Sequence, residues 1–156
     1  MSLGARIVYA AVAWKERRQA LAAAPAGTDH LGTGRRGETL AYWFLRCNGY
    51  TMVARNLRVR QGVGELDLVG WDGRVLAFIE VKTRTGEEFG APELAVGLAQ
   101  QQRIAEAAQF YVRRLKRKAV NYRFDIVSVA WHAREGYRLK IIKDAFKGLP
   151  ASAERS

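Results

Sequence analysis

Residues that staple small proteins are nearly absent from this sequence. Its single cysteine, Cys47, cannot form an internal disulfide, and with His30 and His132 the only histidines there is no zinc-spaced cluster. Such usage suits a reducing compartment. Long apolar runs are missing too: the one membrane-like candidate, Ile7 to Trp14, is eight residues long, against the roughly 20 that a spanning helix needs. Lys15, Glu16, Arg17 and Arg18 separate that run from Ala22-Ala23-Ala24, breaking the order of a secretory signal. A cytoplasmic protein with no membrane association is expected. Acidic residues are also scarce, 15 Asp+Glu against 26 Lys+Arg, for a net charge of +11.

What is present is one domain's worth of chain. At 156 residues and 49% hydrophobic content a single core of ordinary size is expected, which excludes disorder and collagen-like repeats. The charge is unevenly placed. Residues 1–60 hold 10 basic and 3 acidic side chains, residues 61–100 hold 3 and 7, and residues 101–156 hold 13 and 5. Basic flanks attract a polyanion, because clustered Lys and Arg release counterions from phosphate. The acidic middle needs a separate explanation.

Residues 3–24 are Ala-rich with apolar positions at helical spacing, and Pro25 to Gly37 has the glycines of a linker. Residues 1–33 therefore read as an N-terminal helical extension and linker, 34–146 as the domain, and 147–156 as a frayed tail. A helix is expected from Arg35 to Asn48, where Leu40, Ala41, Phe44 and Leu45 share a face and Gly49 follows as a stop. Strands are expected over Met52–Arg60, Gly64–Trp71 and Arg74–Thr83, a long helix over Leu94–Lys118 with Leu98 to Leu115 in its apolar stripe, then strands Tyr122–Trp131 and Tyr137–Ile142. The order α-β-β-β-α-β-β describes an α/β domain with a mixed central sheet flanked by helices. No internal repeat is visible.

Asp72-Gly73 between two β-rich runs predicts a two-residue type I′ hairpin loop. Trp71 then pairs with Arg74, and paired residue numbers sum to 145. Glu65 would face Glu80, Asp67 would face Phe78, and Glu65, Asp67, Glu80 and Lys82 would project from one side of the sheet. Three carboxylates on one face repel one another. Lys82 can neutralise one, and a divalent cation is the simplest way to hold the rest, since Mg²⁺ prefers carboxylate oxygens, waters and phosphates. A metal beside a phosphodiester activates water, and Lys82 can stabilise developing charge or orient that water.

The runs Gly64-Glu65-Leu66-Asp67-Leu68-Val69 and Phe78-Ile79-Glu80-Val81-Lys82-Thr83-Arg84 resemble the PD-(D/E)xK nuclease core of restriction-endonuclease-like folds. With Gly37-Glu38, Arg55-Asn56, Phe89-Gly90 and Arg123-Phe124-Asp125 in the same order, the stretch from Gly34 to Ile142 resembles the YraN-like family of uncharacterised bacterial proteins. That family is similar in fold to archaeal Holliday junction resolvases. The resemblance implies that Asp67 and Glu80 ligate Mg²⁺ or Mn²⁺ with the Val81 carbonyl, that Lys82 is the catalytic lysine, and that Glu38 is a helix-borne acid against the same metal. Glu65 belongs to the narrower family's pattern. Where that pattern has a lysine at the start of the second long helix, this sequence has Gln100, followed by Gln101 and Gln102.

Arg58, Arg60, Arg84, Gln100 and Arg103 lie near the acidic hairpin or on adjoining elements and suit a phosphate backbone. The run Arg113-Arg114-Leu115-Lys116-Arg117-Lys118 is a further nucleic-acid contact in prospect, or a solvated helix end that complements the dipole. Trp43, Tyr50, Trp71 and Tyr111 read as packing residues and Cys47 as a small buried hydrophobe. The expectation is a DNA-binding or other nucleic-acid-binding protein that cleaves phosphodiesters with Mg²⁺ or Mn²⁺, branched or junction DNA included, with a homodimer natural if two strands are cut. The alternatives are a non-catalytic nucleic-acid-binding module and a basic interaction subunit docking to an acidic protein.

Overall fold

Strands that are apolar on both faces need a cover on each side, and helices supply it here. The computed structural model describes residues 3–22, 30–60, 62–85, 96–116, 119–132 and 135–148. Its elements are α1 (Leu3–Ala22), α2 (His30–Cys47), β1 (Thr51–Arg60), β2 (Gly64–Asp72), β3 (Val75–Thr85), α3 (Leu98–Arg114), β4 (Tyr122–His132) and β5 (Gly136–Phe146). One five-stranded sheet runs β1-β2-β3-β4-β5. Only β3 and β4 are parallel, as the α3 crossover between them requires, and the other neighbours are antiparallel. This is the mixed sheet flanked by helices that the sequence predicts. The Phe89-Gly90 motif lies outside the described residues.

Alternation along the central strands divides the core. Leu76, Phe78, Phe124 and Ile126 pack with Ile104 and Ala108 of α3, while Ala77, Ile79, Val127 and Val129 pack with Leu40, Ala41 and Leu45 of α2. Tyr50 lies buried beside the second group, as does the end of α2, where Asn48, Gly49 and Tyr50 return their N–H groups to the last turn.

Three expectations need correcting. The linker is shorter than predicted, because α2 starts at His30 rather than Arg35 and carries Gly32, Gly34 and Gly37 within it. Gly37 is there for packing: a methyl group on it would come within 1.9 Å of Thr83 Oγ1, so α2 lies directly on β3. The helix expected in the N-terminal extension is present as α1 and packs on α2, the Tyr9 ring lying 6.0 Å from Phe44 and the buried Cys47 thiol donating to Ala5 O at 3.3 Å. The first hairpin closes through Gly73-Arg74 rather than Asp72-Gly73. Asp72 pairs with Val75, and φ is positive at Gly73 (60°) but not at Arg74, as a type II′ turn demands. Finally α3 spans only Leu98–Arg114; Leu115 is already extended, and Leu98 is 83% exposed rather than part of the apolar stripe.

The Arg123-Phe124-Asp125 motif ties the sheet together near the hairpin end. Asp125 is fully buried. Its Oδ1 accepts from Arg123 Nε at 2.8 Å and from the Asp144 N–H at 2.9 Å, and its Oδ2 accepts from Tyr50 Oη at 3.1 Å. Arg123 also reaches Asp72 Oδ2 at 2.6 Å, where Lys143 donates at 2.7 Å. Burial and Asp125 push the Tyr50 phenol above its usual range, and the bonds to Asp125 and Asp72 push the Arg123 guanidinium up. At β5 the same carboxylate holds a bulge, where Asp144 adopts φ 54° between the pairs Phe124–Phe146 and Ile126–Ile142.

Breaking a buried pair by removing one partner strands the other's charge. Asp125→Ala should therefore cost about 3–5 kcal/mol of unfolding free energy in urea titration. An unchanged midpoint would show that the network is not what joins β4, β5 and the hairpin.

A candidate metal and phosphate site

The β2–β3 ladder runs from Asp72–Val75 to Leu68–Ile79 and there gives way to a side chain: Asp67 Oδ2 accepts the Val81 N–H at 2.9 Å. A carboxylate has taken the place of a strand carbonyl. Strict alternation fails at the same point. Leu66 packs on the α3 side and Leu68 on the α2 side, although both are even-numbered. On β1 the residue between the pairs Arg55–Leu68 and Leu57–Leu66 is Asn56, with φ 49°. The two strands turn over together at Asp67, and a cleft of about 220 Å³ opens beside it. Gly64, Glu65, Asp67, Glu80, Gln100, Arg103 and Ile104 line it.

The paired numbers of β2 and β3 sum to 147 rather than 145, and the pairing ends at Leu68–Ile79, one residue short of Asp67 and Glu80. Register is off by two, and over the paired stretch Leu68–Asp72 a slip of two leaves each side chain on its face. The turnover at Asp67 means that the acids meet by convergence on the cleft, not by strict two-residue alternation.

Glu80 is 8% exposed on a central strand. Buried charge needs a partner. Its Oε1 receives Lys82 Nζ at 2.9 Å and Gln100 Nε2 at 2.5 Å, while Lys82 Nζ also donates to Gln100 Oε1 at 3.0 Å. The amide can close this triangle because it donates and accepts; a lysine in its place could only donate. Gln100 is thus part of the site's internal bonding, a role that its substitution for an expected lysine signals only in hindsight.

Asp67 carries the surplus charge. Burial, then the charge of Glu80, raise its pKa from 3.8 to about 7, with Glu38 and a hydrogen bond shared with Glu80 adding to this and the Val81 N–H opposing it. Glu38 lies half-buried on α2, one residue beyond the Gly37 contact with Thr83, which sets the helix down next to Lys82's strand.

The remaining residues lie at various removes. Glu65 is exposed at the rim, 3.6 Å from Arg58 in an ion pair that is itself mostly in water and so worth little. Arg103 is exposed in the cleft lining beside Gly64, and Arg84 is half-buried two residues beyond Lys82. Arg60 ends β1, its side chain outside the described set. Of the basic run, the described Arg113, Arg114 and Lys116 do not line the cleft. From Gln100 to Arg113, α3 advances about 20 Å, and its later turns reach Phe78 through Tyr111, toward the hairpin end of β3. Arg114 lies over the Phe110 ring at 5.3 Å, Lys116 is exposed past the helix, and Arg117 and Lys118 lie outside the described residues.

Among the described residues no three His, Cys, Asp or Glu side chains form a ready-made metal cage. That donor set does not fit zinc, which takes three or four ligands from protein, chiefly His and Cys. It fits Mg²⁺ or Mn²⁺, since such ions are commonly held by one or two carboxylates with waters and substrate phosphates. The surplus negative charge on Asp67 is what such a cation would relieve.

The family model described as "Uncharacterised protein family UPF0102" matches residues 37–129. A UPF0102 protein of Koribacter versatilis is 45% identical over 122 residues, covering 78% of this chain and 84% of the relative. One from Solibacter usitatus is 53% identical over 100 residues, covering 64% and 76%. A third, from Symbiobacterium thermophilum, is 43% identical over 113 residues, covering 72% and 94%.

The raised Asp67 pKa has a stability consequence of definite sign. In the unfolded chain this carboxyl ionises near pH 4, whereas in the fold it keeps its proton to about pH 7. Stability should therefore fall as pH rises through that window and level off above it. Asp67→Asn keeps an oxygen for the Val81 N–H but cannot ionise. In metal-free buffer it should melt above the native protein at pH 8, the gap closing toward pH 4; no gap at pH 8 would refute the charge crowding.

Proposed function

The chain belongs to uncharacterised protein family UPF0102, and we propose that it is a metal-dependent nuclease that hydrolyses phosphodiesters in DNA, branched or junction DNA included. One observation carries the reading: Asp67 and Glu80 converge in an open cleft with Lys82 bonded to one of them and too little positive charge for both. Similarity of the Asp67…Glu80-Val81-Lys82 pattern to the PD-(D/E)xK core and to archaeal Holliday junction resolvases supports it.

In this reading Asp67 and Glu80, with the Val81 carbonyl and Glu38 in support, would hold Mg²⁺ or Mn²⁺. When bound, the cation supplies an activated water and neutralises charge on the phosphate. The chain's own residues do the rest. Lys82 gives its ammonium to the phosphate oxygens or orients the attacking water, and Glu80 and Gln100 hold that ammonium in place. Glu65 and Arg103 both line the cleft, and Arg58 pairs with Glu65, so an incoming phosphate meets cationic side chains near its entrance. The protein acts in the cytoplasm, and a homodimer would present two such clefts to two strands.

One observation favours a second reading. Lys82 is engaged by both Glu80 and Gln100, an arrangement that also suits a resting, non-catalytic nucleic-acid-binding module. Calorimetric titration with Mn²⁺ separates the two, because a lapsed site gives no heat that depends on the carboxylates.

The direct test incubates branched, single-stranded and duplex DNA with Mn²⁺ and the native chain, Asp67→Ala, Glu80→Ala and Lys82→Ala. The variants should keep DNA binding while cleavage falls by about 10²-fold or more. Native-rate cutting by the Asp67 and Lys82 variants would end the nuclease reading.

A further inference from the structure

The register carries the site outward across the sheet. Lys82 of β3 pairs with Ser128 of β4, which pairs with Lys140 of β5; two residues on, Arg84 pairs with Ala130 and Ala130 with Arg138. The side on which these residues lie follows from their neighbours. Val81, Val127 and Ile141 pack together on the α2 side, as do Val129 and Leu139. The residues one step along each strand therefore project to the opposite side, the one that carries Glu80 and the cleft.

Two rows of cations thus flank a floor of two small residues. Neighbouring strands are about 4.8 Å apart, so the rows are separated by about 10 Å, and successive cations within a row by about 7 Å. Helix α3 lies mainly over β2 and β1. Ser128 and Ala130 are half-buried and Arg138 and Lys140 are exposed. Arg84 is engaged within the protein. Glu135 pairs with Arg138 in an exposed contact of little strength; along β3, β4 and β5 beyond Glu80 it is the only acid at this end among the described residues.

We infer that this trough is a binding track for the sugar-phosphate backbone of duplex DNA, guiding it over β4 and β5 to Lys82. The inference rests on the nuclease reading and adds to it a path and a mode. Positive rows over a small, partly polar floor suit phosphate. Among the described residues no Trp, Tyr or Phe ring lines the track, because Trp131 and Tyr137 pair with each other at 4.7 Å on the other face. Single-strand binders rely on such rings to stack bases. The track therefore selects a backbone without reading sequence, and its contacts should be strongly salt-dependent.

The test measures fluorescence anisotropy of a labelled blunt duplex in EDTA at several salt concentrations. Arg138→Gln/Lys140→Gln should weaken binding on the order of tenfold and lower the log–log salt slope by about 1.8, two phosphate contacts at about 0.9 each. Arg138→Lys/Lys140→Arg, which keeps the charges, should restore both, and single-stranded DNA of equal length should bind more weakly than duplex. Arg113→Gln/Arg114→Gln, at the far end of α3, should leave the slope nearly unchanged. A duplex slope unaltered in the β5 variant, or an equal loss in the α3 variant, would overturn the track while leaving the nuclease reading intact. Native protein that binds no DNA at low salt would overturn both.

Discussion

One hydrogen bond governs the geometry of this molecule: the Asp67 carboxylate receiving the Val81 N–H. Strand pairing is cooperative as long as each N–H finds a carbonyl on its neighbour. When a side chain takes that N–H, the neighbouring backbone is released and the strands can part. The parting opens the cleft, and it happens in the middle of the sheet, where β3 stays paired with β4 over its whole length. The same bond stabilises the ionised form of Asp67, but it is outweighed by burial and by the neighbouring acids.

The chain treats its two buried acidic clusters in opposite ways. Around Asp125 the charges are matched and the polar atoms are met: Arg123 and Lys143 answer Asp125 and Asp72, and the Tyr50 hydroxyl and the Asp144 N–H complete the set. Such a network locks strands together. Around Asp67, Lys82 pairs with Glu80 alone, and the Asp67 carboxyl is driven toward its neutral form by burial and the nearby Glu80 and Glu38. The crowded carboxylates of the cleft are left with a surplus of negative charge that the Asp125 network does not have. The same contrast explains why similar motifs in sequence, Asp125 beside Arg123 and Glu80 beside Lys82, differ in character.

Much of this could be read directly. Element types follow from local chemistry: alternation in β2 to β5, the helical face of Leu40, Ala41 and Leu45, and the hairpin between Trp71 and Leu76. The candidate acids also came to one cleft despite a misplaced turn: a register error of two leaves faces unchanged, but it is the turnover of the strand at Asp67 that brings the acids together. Errors concentrated where a local signal has a distant cause. Gly32, Gly34 and Gly37 read as linker residues, yet Gly37 is helical so that α2 can rest on Thr83. Leu98 fits an apolar spacing, yet it lies at the helix start, where nothing covers it.

By itself the sequence determined the inventory: a basic chain with an acidic centre, a mixed α/β order, and an Asp, Glu and Lys at the spacing of a hairpin. These depend on interactions between residues close along the chain. Tertiary structure alone decided how the inventory is wired. It set Gln100, about 20 residues from Glu80, between that acid and Lys82, left Arg113 and Arg114 of α3 out of the cleft lining, and aligned Lys140 and Arg138 with Lys82 and Arg84 across β4. Those relations depend on strand register and helix docking, which are settled by how two core faces pack at once and not by any single segment.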